Sequence, residues 1–433
     1  MSHTSGASRR SLLVGAALAT PVAGVLAATA PADAASRHGH GPGHEPDRTG
    51  TSPIAAGGPA SLAVGWHVLT ENALAAAAFP EPITQSRTWA VSWLAAARAT
   101  RGQQGTYASA AFVQALHDTL VALVPAQQST LDAALTASLA TLPAGAERTS
   151  GTKAGAAAAA AVLQERAGDG TDTASVNTPF TPPPPAPGVW QLTPPTTRPA
   201  VRAGQAKARP FLLTSNNQFD PGPPPALDSA TYLRDLAESR NLGRVDGPRT
   251  PDQYAVAKFW YPGITGFSAQ LLRQVLVARA TSSLAELSRI VAVLHVTSVD
   301  AQIQLAKTKY DYLFWRPFTA ITTGTVDPDP SWTSLEVAPQ HPEYPSGHTL
   351  QGGAQQAVLE ALVGPTSSTP IALTSSNLPG QSRLYGDWAT ITREIVDARV
   401  FEGVHFRNSD IVGARLGTQV ARFGLSRLST IGL

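Results

Sequence analysis

The stretch Ser283–Phe314, SLAELSRIVAVLHVTSVDAQIQLAKTKYDYLF, decides the fold class. Leu284, Leu287, Val291, Leu294 and Ile303 recur at helical spacing, so the segment reads as one long helix with a core-facing stripe. Pro317 is expected to end it, because the residue before a proline is biased out of helix. The same period fills Leu62 to Arg166, broken at Pro80, Pro82, Pro125 and Pro143. There Leu131, Leu135, Leu139 and Leu142 form a stripe, and Tyr107–Leu123 is amphipathic, with His117 inside it in a structural role. Strand-like alternation is scarce. The expectation is an all-α chain.

Between these helical parts the composition shifts. Pro182 to Pro185, Pro194-Pro195 and Pro223 to Pro225 cannot continue helices. Residues 176–227 are therefore expected to wrap the surface as extended chain, pinned by Trp190 and Phe211. A loop of this length is uncommon inside a domain. It separates an N-terminal helical half from an active-site half at 228–433.

Of the 433 residues, 43% are hydrophobic, enough for a large core, and the net charge is +2. So balanced a charge argues against a nucleic-acid partner. No cysteine is present, which excludes disulfides and thiol chemistry, and Met1 is the only methionine. Compositional drift accounts for the missing sulfur better than adaptation to an oxidising product does.

Ser8-Arg9-Arg10-Ser11-Leu12-Leu13 opens an apolar run to about Ala30, and Ala32-Asp33-Ala34-Ala35 offers a small-residue cleavage site. Residues 1–35 read as a twin-arginine-type export signal. Gly15, Pro21 and Gly24 interrupt the run and argue against a permanent anchor. Residues 36–60 read as a flexible linker, where His38, His40 and His44 sit in a solvated tail. Residues 61–433 form the helical domain, and no other uninterrupted stretch has membrane length.

Three segments carry chemistry. In Lys309–Pro317, a spacing of seven returns to nearly the same helical face, so Lys309 and Arg316 are expected to point at one pocket. In His341-Pro-Glu-Tyr-Pro-Ser-Gly-His348, Ser346 stands where an N-cap belongs and Gly347 permits close backbone approach. The helix start that follows favours an anion, and His348 in its first turn is placed for acid–base work. In Arg399–Asp410, Arg399 offers a planar fork for an oxyanion, and His405 follows the turn at Gly403. Asp410 either orients an imidazole or caps the next helix.

Taken in this order, the segments resemble the signature of the vanadium-dependent haloperoxidases and the related type 2 phosphatidate and bacterial acid phosphatases. That signature is a lysine, six residues and Arg-Pro, then Pro-Ser-Gly-His, then Ser-Arg with Gly-x-His and an acid downstream. The resemblance spans about Lys309 to Gly413. Ala398 replaces the usual serine, and Asp410 lies one residue further from His405 than the commoner phosphatase spacing.

The resemblance implies a helical bundle around a bound oxyanion. Lys309, Arg316 and Arg399 would neutralise its equatorial oxygens, Ser346 and Gly347 would donate to them, and His348 would be the acid–base group. His405 would ligate vanadium axially in a peroxidase or form a phosphohistidine in a phosphatase. The implied cofactor is vanadate, and the implied partners are hydrogen peroxide and halide, or a phosphate ester. The aromatic residues Tyr312, Phe314 and Trp315 before Arg316 favour the peroxidase branch. Soluble phosphatase is the alternative, and a non-catalytic oxyanion-binding protein the second. Halide, organic substrate and oligomeric state stay open.

Overall fold

A 29-residue helix, Leu284–Tyr312, is buried along most of its length, and the other helices pack around it. The structure is a computed structural model, and it describes residues 58–194 and 198–433. The expected export signal and nearly all of the expected linker lie outside the described residues.

In chain order the first helices are α1 (Pro59–Ala77), α2 (Pro82–Thr100), α3 (Gly105–Leu123), α4 (Gln128–Ala140), α5 (Ala146–Glu165) and the single turn α6 (Thr173–Val176). After the Pro-rich segment come α7 (Ala230–Leu242), α8 (Pro251–Trp260), α9 (Ile264–Ala278), α10 (Leu284–Tyr312) and α11 (Pro317–Thr323). The last are α12 (Gly347–Leu362), α13 (Trp388–Phe401) and α14 (Arg407–Leu425). The all-α class holds. Among the described residues, no helix is long and apolar enough to cross a membrane.

Helix α10 begins with a capping box in which Ser283 and Glu286 satisfy each other's backbone amides. It does not run to Pro317 as expected. Leu313 adopts a left-handed φ of 49° and ends the helix, and Pro317 instead opens α11, where its missing N–H costs nothing. The all-helical expectation also missed a hairpin, β1 (Thr366–Thr374) against β2 (Ser382–Asp387). Its register shifts between Thr366 and Ile371, around Pro370, which cannot donate to the ladder. Gln270 and Gln274 of α9 bond side chain to backbone with Thr374 and Ala372, so the hairpin is held from outside its own sequence.

The Pro-rich segment is tied to the helices at several points. Trp190 is buried, its amide donates to the Leu313 carbonyl at 2.7 Å, and Trp315 donates to Gly188 at 3.0 Å. Asp300 of α10 accepts from the amides of Phe211, Leu212 and Leu213 at 2.6–2.9 Å. These three bonds satisfy a fully buried carboxylate, although burial still pushes its pKa up to about 6.

Helices α12 and α14 approach until backbone meets backbone. A Cβ on Gly417 would lie 1.9 Å from the Leu350 carbonyl oxygen, and one on Gly353 would lie 2.0 Å from that of Ala414. This contact brings the start of α14 against the start of α12, where Ser346 N donates to Ser409 O at 3.1 Å. Gly417→Ala should therefore lower the unfolding free energy by about 1–3 kcal/mol through overpacking. Gly266→Ala in α9, with open space around it, should instead be neutral or stabilising. Equal denaturant midpoints for the two variants would show that the crossing has slack.

Candidate active site: a buried oxyanion clamp

Lys309 lies in the last turn of α10 and is 3% exposed. Its Nζ donates to the carbonyls of Pro342 and Glu343, both at 2.8 Å. Burial first, and then the charge of Arg316, hold its pKa well below the ordinary lysine value.

Arg316 is fully buried and does not share a helix with Lys309. The left-handed turn at Leu313 brings it back, so the two cations meet through that turn rather than through a seven-residue helical repeat. Nη1 donates to the Val404 carbonyl at 2.8 Å and lies 3.1 Å from His405 Nε2, while Nη2 donates to His341 O at 3.0 Å. Burial pulls its pKa down to about 9, against the attraction of Glu343.

His405 stands between α13 and α14, after a turn at Gly403 with φ +76°. Only glycine fits that turn, since a Cβ would come within 2.4 Å of the Gly243 carbonyl oxygen. Nδ1 lies 2.7 Å from Glu343 Oε1, which also accepts from Phe406 N at 3.0 Å. A guanidinium can only donate, so Nε2 accepts from Arg316 and the ring proton resides on Nδ1, directed at Glu343. Burial, followed by the charges of Arg316, Lys309 and Arg399, holds the His405 pKa well below its ordinary value. The ring is thus neutral with a lone pair on Nε2.

Glu343 was quoted within the Pro-Ser-Gly-His segment but given no role, and it takes the part expected of Asp410. Asp410 neither orients His405 nor caps a helix. Helix α14 begins at Arg407, which places Asp410 inside its first turn, and neither of its carboxylate oxygens has a hydrogen-bond partner among the described residues. Burial raises its pKa well above the carboxylate range, and the nearby Ser346 hydroxyl opposes this without reaching hydrogen-bond geometry. Glu343 is raised to about 7, mainly by burial.

Ser346 is the N-cap of α12, yet its hydroxyl does not cap the helix. Its Oγ is buried and without a partner among the described residues. His348, in the first turn, is half-buried, and its Nε2 has no partner either. Burial and the Arg399 charge hold its pKa well below the ordinary value. Arg399 is 2% exposed and forms an ion pair with Glu402, one helical turn on. Glu402 is itself fully buried, and burial pushes its pKa up to about 8. An i, i+3 acid beside a buried arginine was a legible signal.

Lys309, Gly347, His348, Arg399 and His405 line one cavity of about 150 Å³. Arg316 reaches it through His405, and Ser346 adjoins Gly347. His341, Arg202 and Gln205, to which sequence reasoning gave no role, also line it. The cavity thus joins buried cations and three histidines whose pKa values are held well below the ordinary value, with the unpartnered Ser346 hydroxyl beside it. That donor set suits a metal carried inside an oxyanion rather than a bare cation.

Glu343→Leu should release the His405 tautomer, read from imidazole nitrogen-15 shifts, and weaken orthovanadate binding by about 10- to 100-fold. Glu343→Gln keeps an acceptor and should restore most of both. A His405 that stays Nδ1-protonated in the leucine variant would remove Glu343 from this role.

Residues 289–431 match the family model described as the VCPO second helical-bundle domain. The vanadium chloroperoxidase of Curvularia inaequalis is 32% identical over 133 residues, covering 24% of this chain and 22% of the relative. The chain thus aligns with under a quarter of that relative's length. Among solved structures, a bacterial vanadium-dependent iodoperoxidase superposes with a TM-score of 0.71 at 22% identity, covering 85% of this chain and 96% of that one. An apo-type bacterial vanadium-dependent chloroperoxidase superposes with a TM-score of 0.65 at 18% identity, covering 82% and 95%. The resemblance carried by the three motifs therefore holds: residues 289–431 carry the VCPO second helical bundle, in a chain with the fold of the vanadium-dependent haloperoxidases.

Proposed function

We propose that this protein is an exported vanadate-dependent haloperoxidase that oxidises halide with hydrogen peroxide. One observation carries the reading. Lys309, Arg316 and Arg399 are each at most 3% exposed; Lys309 and Arg399 line a cavity together with the neutral His405, whose Nε2 lone pair is held by Arg316 and could pass from that hydrogen bond to a ligand. Glu402 and Glu343 balance these buried cations only in part, since burial raises the pKa of both acids, and a bound oxyanion would offset the remaining cost.

The residues present fit vanadate. The three cations would balance its charge, the unpartnered Ser346 Oγ and the Gly347 amide would donate to its oxygens, and His405 Nε2 would ligate the metal. When bound, vanadate supplies a Lewis-acidic centre that makes peroxide oxygen electrophilic towards halide. His348 contributes the proton chemistry. Its neutral ring takes a proton from entering hydrogen peroxide at the free Nε2 and returns it to the departing oxygen. Glu343 keeps the His405 proton on Nδ1, so Nε2 stays a donor of electrons throughout. The Asp410 carboxyl, its pKa raised by burial, lies beside Ser346 and is assigned no part in the proton chemistry.

The same clamp would fit phosphate, with His405 as nucleophile, and so a phosphatase is the second reading. The peroxidase reading is preferred because the solved structures named above are an iodoperoxidase and a chloroperoxidase. Export rests on the Arg9-Arg10 segment and its apolar run.

The purified protein should brominate monochlorodimedone with bromide and peroxide only after orthovanadate is added. His405→Ala should abolish that activity. Hydrolysis of p-nitrophenyl phosphate that vanadate inhibits would establish the phosphatase instead, and neither activity would leave an anion-binding protein.

A further inference from the structure

The cavity has a second polar wall, contributed by the Pro-rich wrap and unused by the clamp. Arg202 stands there with φ +67°, a left-handed conformation costing a non-glycine residue about 1–2 kcal/mol. Its own contacts hold it in place. The Arg202 amide donates to Asn177 Oδ1 at 3.0 Å, and Nε donates to Glu81 Oε2 at 2.7 Å. Glu81 is in turn fixed by Asn177 Nδ2 at 2.8 Å. Nε is thereby engaged with Glu81, and Arg202 lines the cavity. Arg202 lines the same cavity as Lys309, His341 and His348, and its charge adds to the lowering of their pKa values.

One turn on is Gln205, 3% exposed and lining the same cavity. Its Nε2 donates to the Gln302 carbonyl at 2.6 Å, and a carbonyl can only accept, so the amide orientation is fixed. Oε1 is left buried without a partner among the described residues. A buried acceptor of this kind calls for a donor. The backbone that presents it has no freedom to move, since a Cβ on Gly204 would lie 1.9 Å from the Ser175 carbonyl oxygen. Pro82, Ile264 and Leu305 line the same cavity and give it apolar surface against which a ring can pack.

We propose that Arg202 and Gln205 form a subsite for a hydroxylated aromatic carboxylate, the carboxylate on Arg202 and the hydroxyl donating to Gln205 Oε1. Its role as organic co-substrate rests on the haloperoxidase reading, whereas its binding does not. In that role the ring exchanges a C–H bond for a C–halogen bond with hypohalous acid. The hypohalous oxygen leaves as water, carrying the ring proton.

The test is calorimetric titration of the full chain with 4-hydroxybenzoate and with benzoate, the clamp first saturated with orthovanadate, or with inorganic phosphate if vanadate does not bind. Arg202→Asn, which keeps a side chain tolerant of positive φ, should weaken 4-hydroxybenzoate by about tenfold or more. Gln205→Leu should erase a preference of about fivefold for 4-hydroxybenzoate over benzoate. Both variants should bind orthovanadate within about threefold of the parent, as would be expected of groups outside the clamp. No binding to the parent, binding only when the clamp is empty, or an unaffected Arg202→Asn would each overturn the subsite. A large loss of vanadate affinity in Arg202→Asn would do so too, by making Arg202 a clamp residue. Failure of vanadate to bind the parent would strike at the haloperoxidase reading and leave the subsite to be judged with phosphate.

Discussion

Positive charge held out of water is the constraint on which the rest of this structure depends. Lys309, Arg316 and Arg399 are almost completely buried, and the carboxylates beside them cannot fully balance them. Burial raises Glu343 to about 7 and Glu402 to about 8, and it raises Asp410 well above the ordinary carboxylate value, so the charged form of each acid is disfavoured. Arginine suits such a place because its guanidinium keeps its charge where lysine would lose it. Lys309 is the weak member, held by two backbone carbonyls rather than by a carboxylate. An oxyanion entering the cavity would favour the charged form of every cation at once, so charge recognition and local stability are linked there.

Holding that charge requires a rigid frame. The clamp residues come from the end of α10, the loop before α11, the start of α12, the end of α13 and the loop before α14. Five short segments would lose their relative positions if the helices could slide. The glycine contacts between α12 and α14 prevent sliding, because a backbone carbonyl cannot yield as a flexible side chain can. Gly413 belongs to the same contact, its missing Cβ leaving room for the Ser346 carbonyl and the Thr349 hydroxyl. The wrap braces the other side through Asp300, Trp190 and Arg202.

Much of this was legible in the sequence. Hydrophobic period marked the helices, and three short motifs brought five residues to the lining of one cavity with Arg316 and Ser346 next to them, because each motif is local and its chemistry is specific. What stayed hidden depended on contacts between distant residues. The Leu313 turn carries no glycine or proline of its own, so the seven-residue spacing looked helical when it was not. The β1–β2 hairpin is Ser- and Thr-rich, contains Pro370 and takes part of its bonding from Gln270 and Gln274. Nothing in the Pro-rich segment marked Arg202 or Gln205 either, since both acquire meaning only when the wrap reaches the cavity.

The support of His405 shows why position along the chain is a poor guide to partnership. Asp410 is five residues away and sits one turn into α14, with its carboxyl beside Ser346. Glu343 is 62 residues away, yet it receives both the Nδ1 proton and the Phe406 amide. Two donors converge on one oxygen, which fixes the ring plane as well as the tautomer. The same peptide also supplies the carbonyl that accepts from Lys309. Glu343 therefore joins the cation that would neutralise the oxyanion to the histidine that would ligate it. The five-residue interval from Glu343 to His348 then sets the His348 ring relative to both. The His405 ring is thus oriented by Glu343, from the Pro-Ser-Gly-His side of the cavity, and its tautomer does not need a hydrogen bond from position 398 or 410.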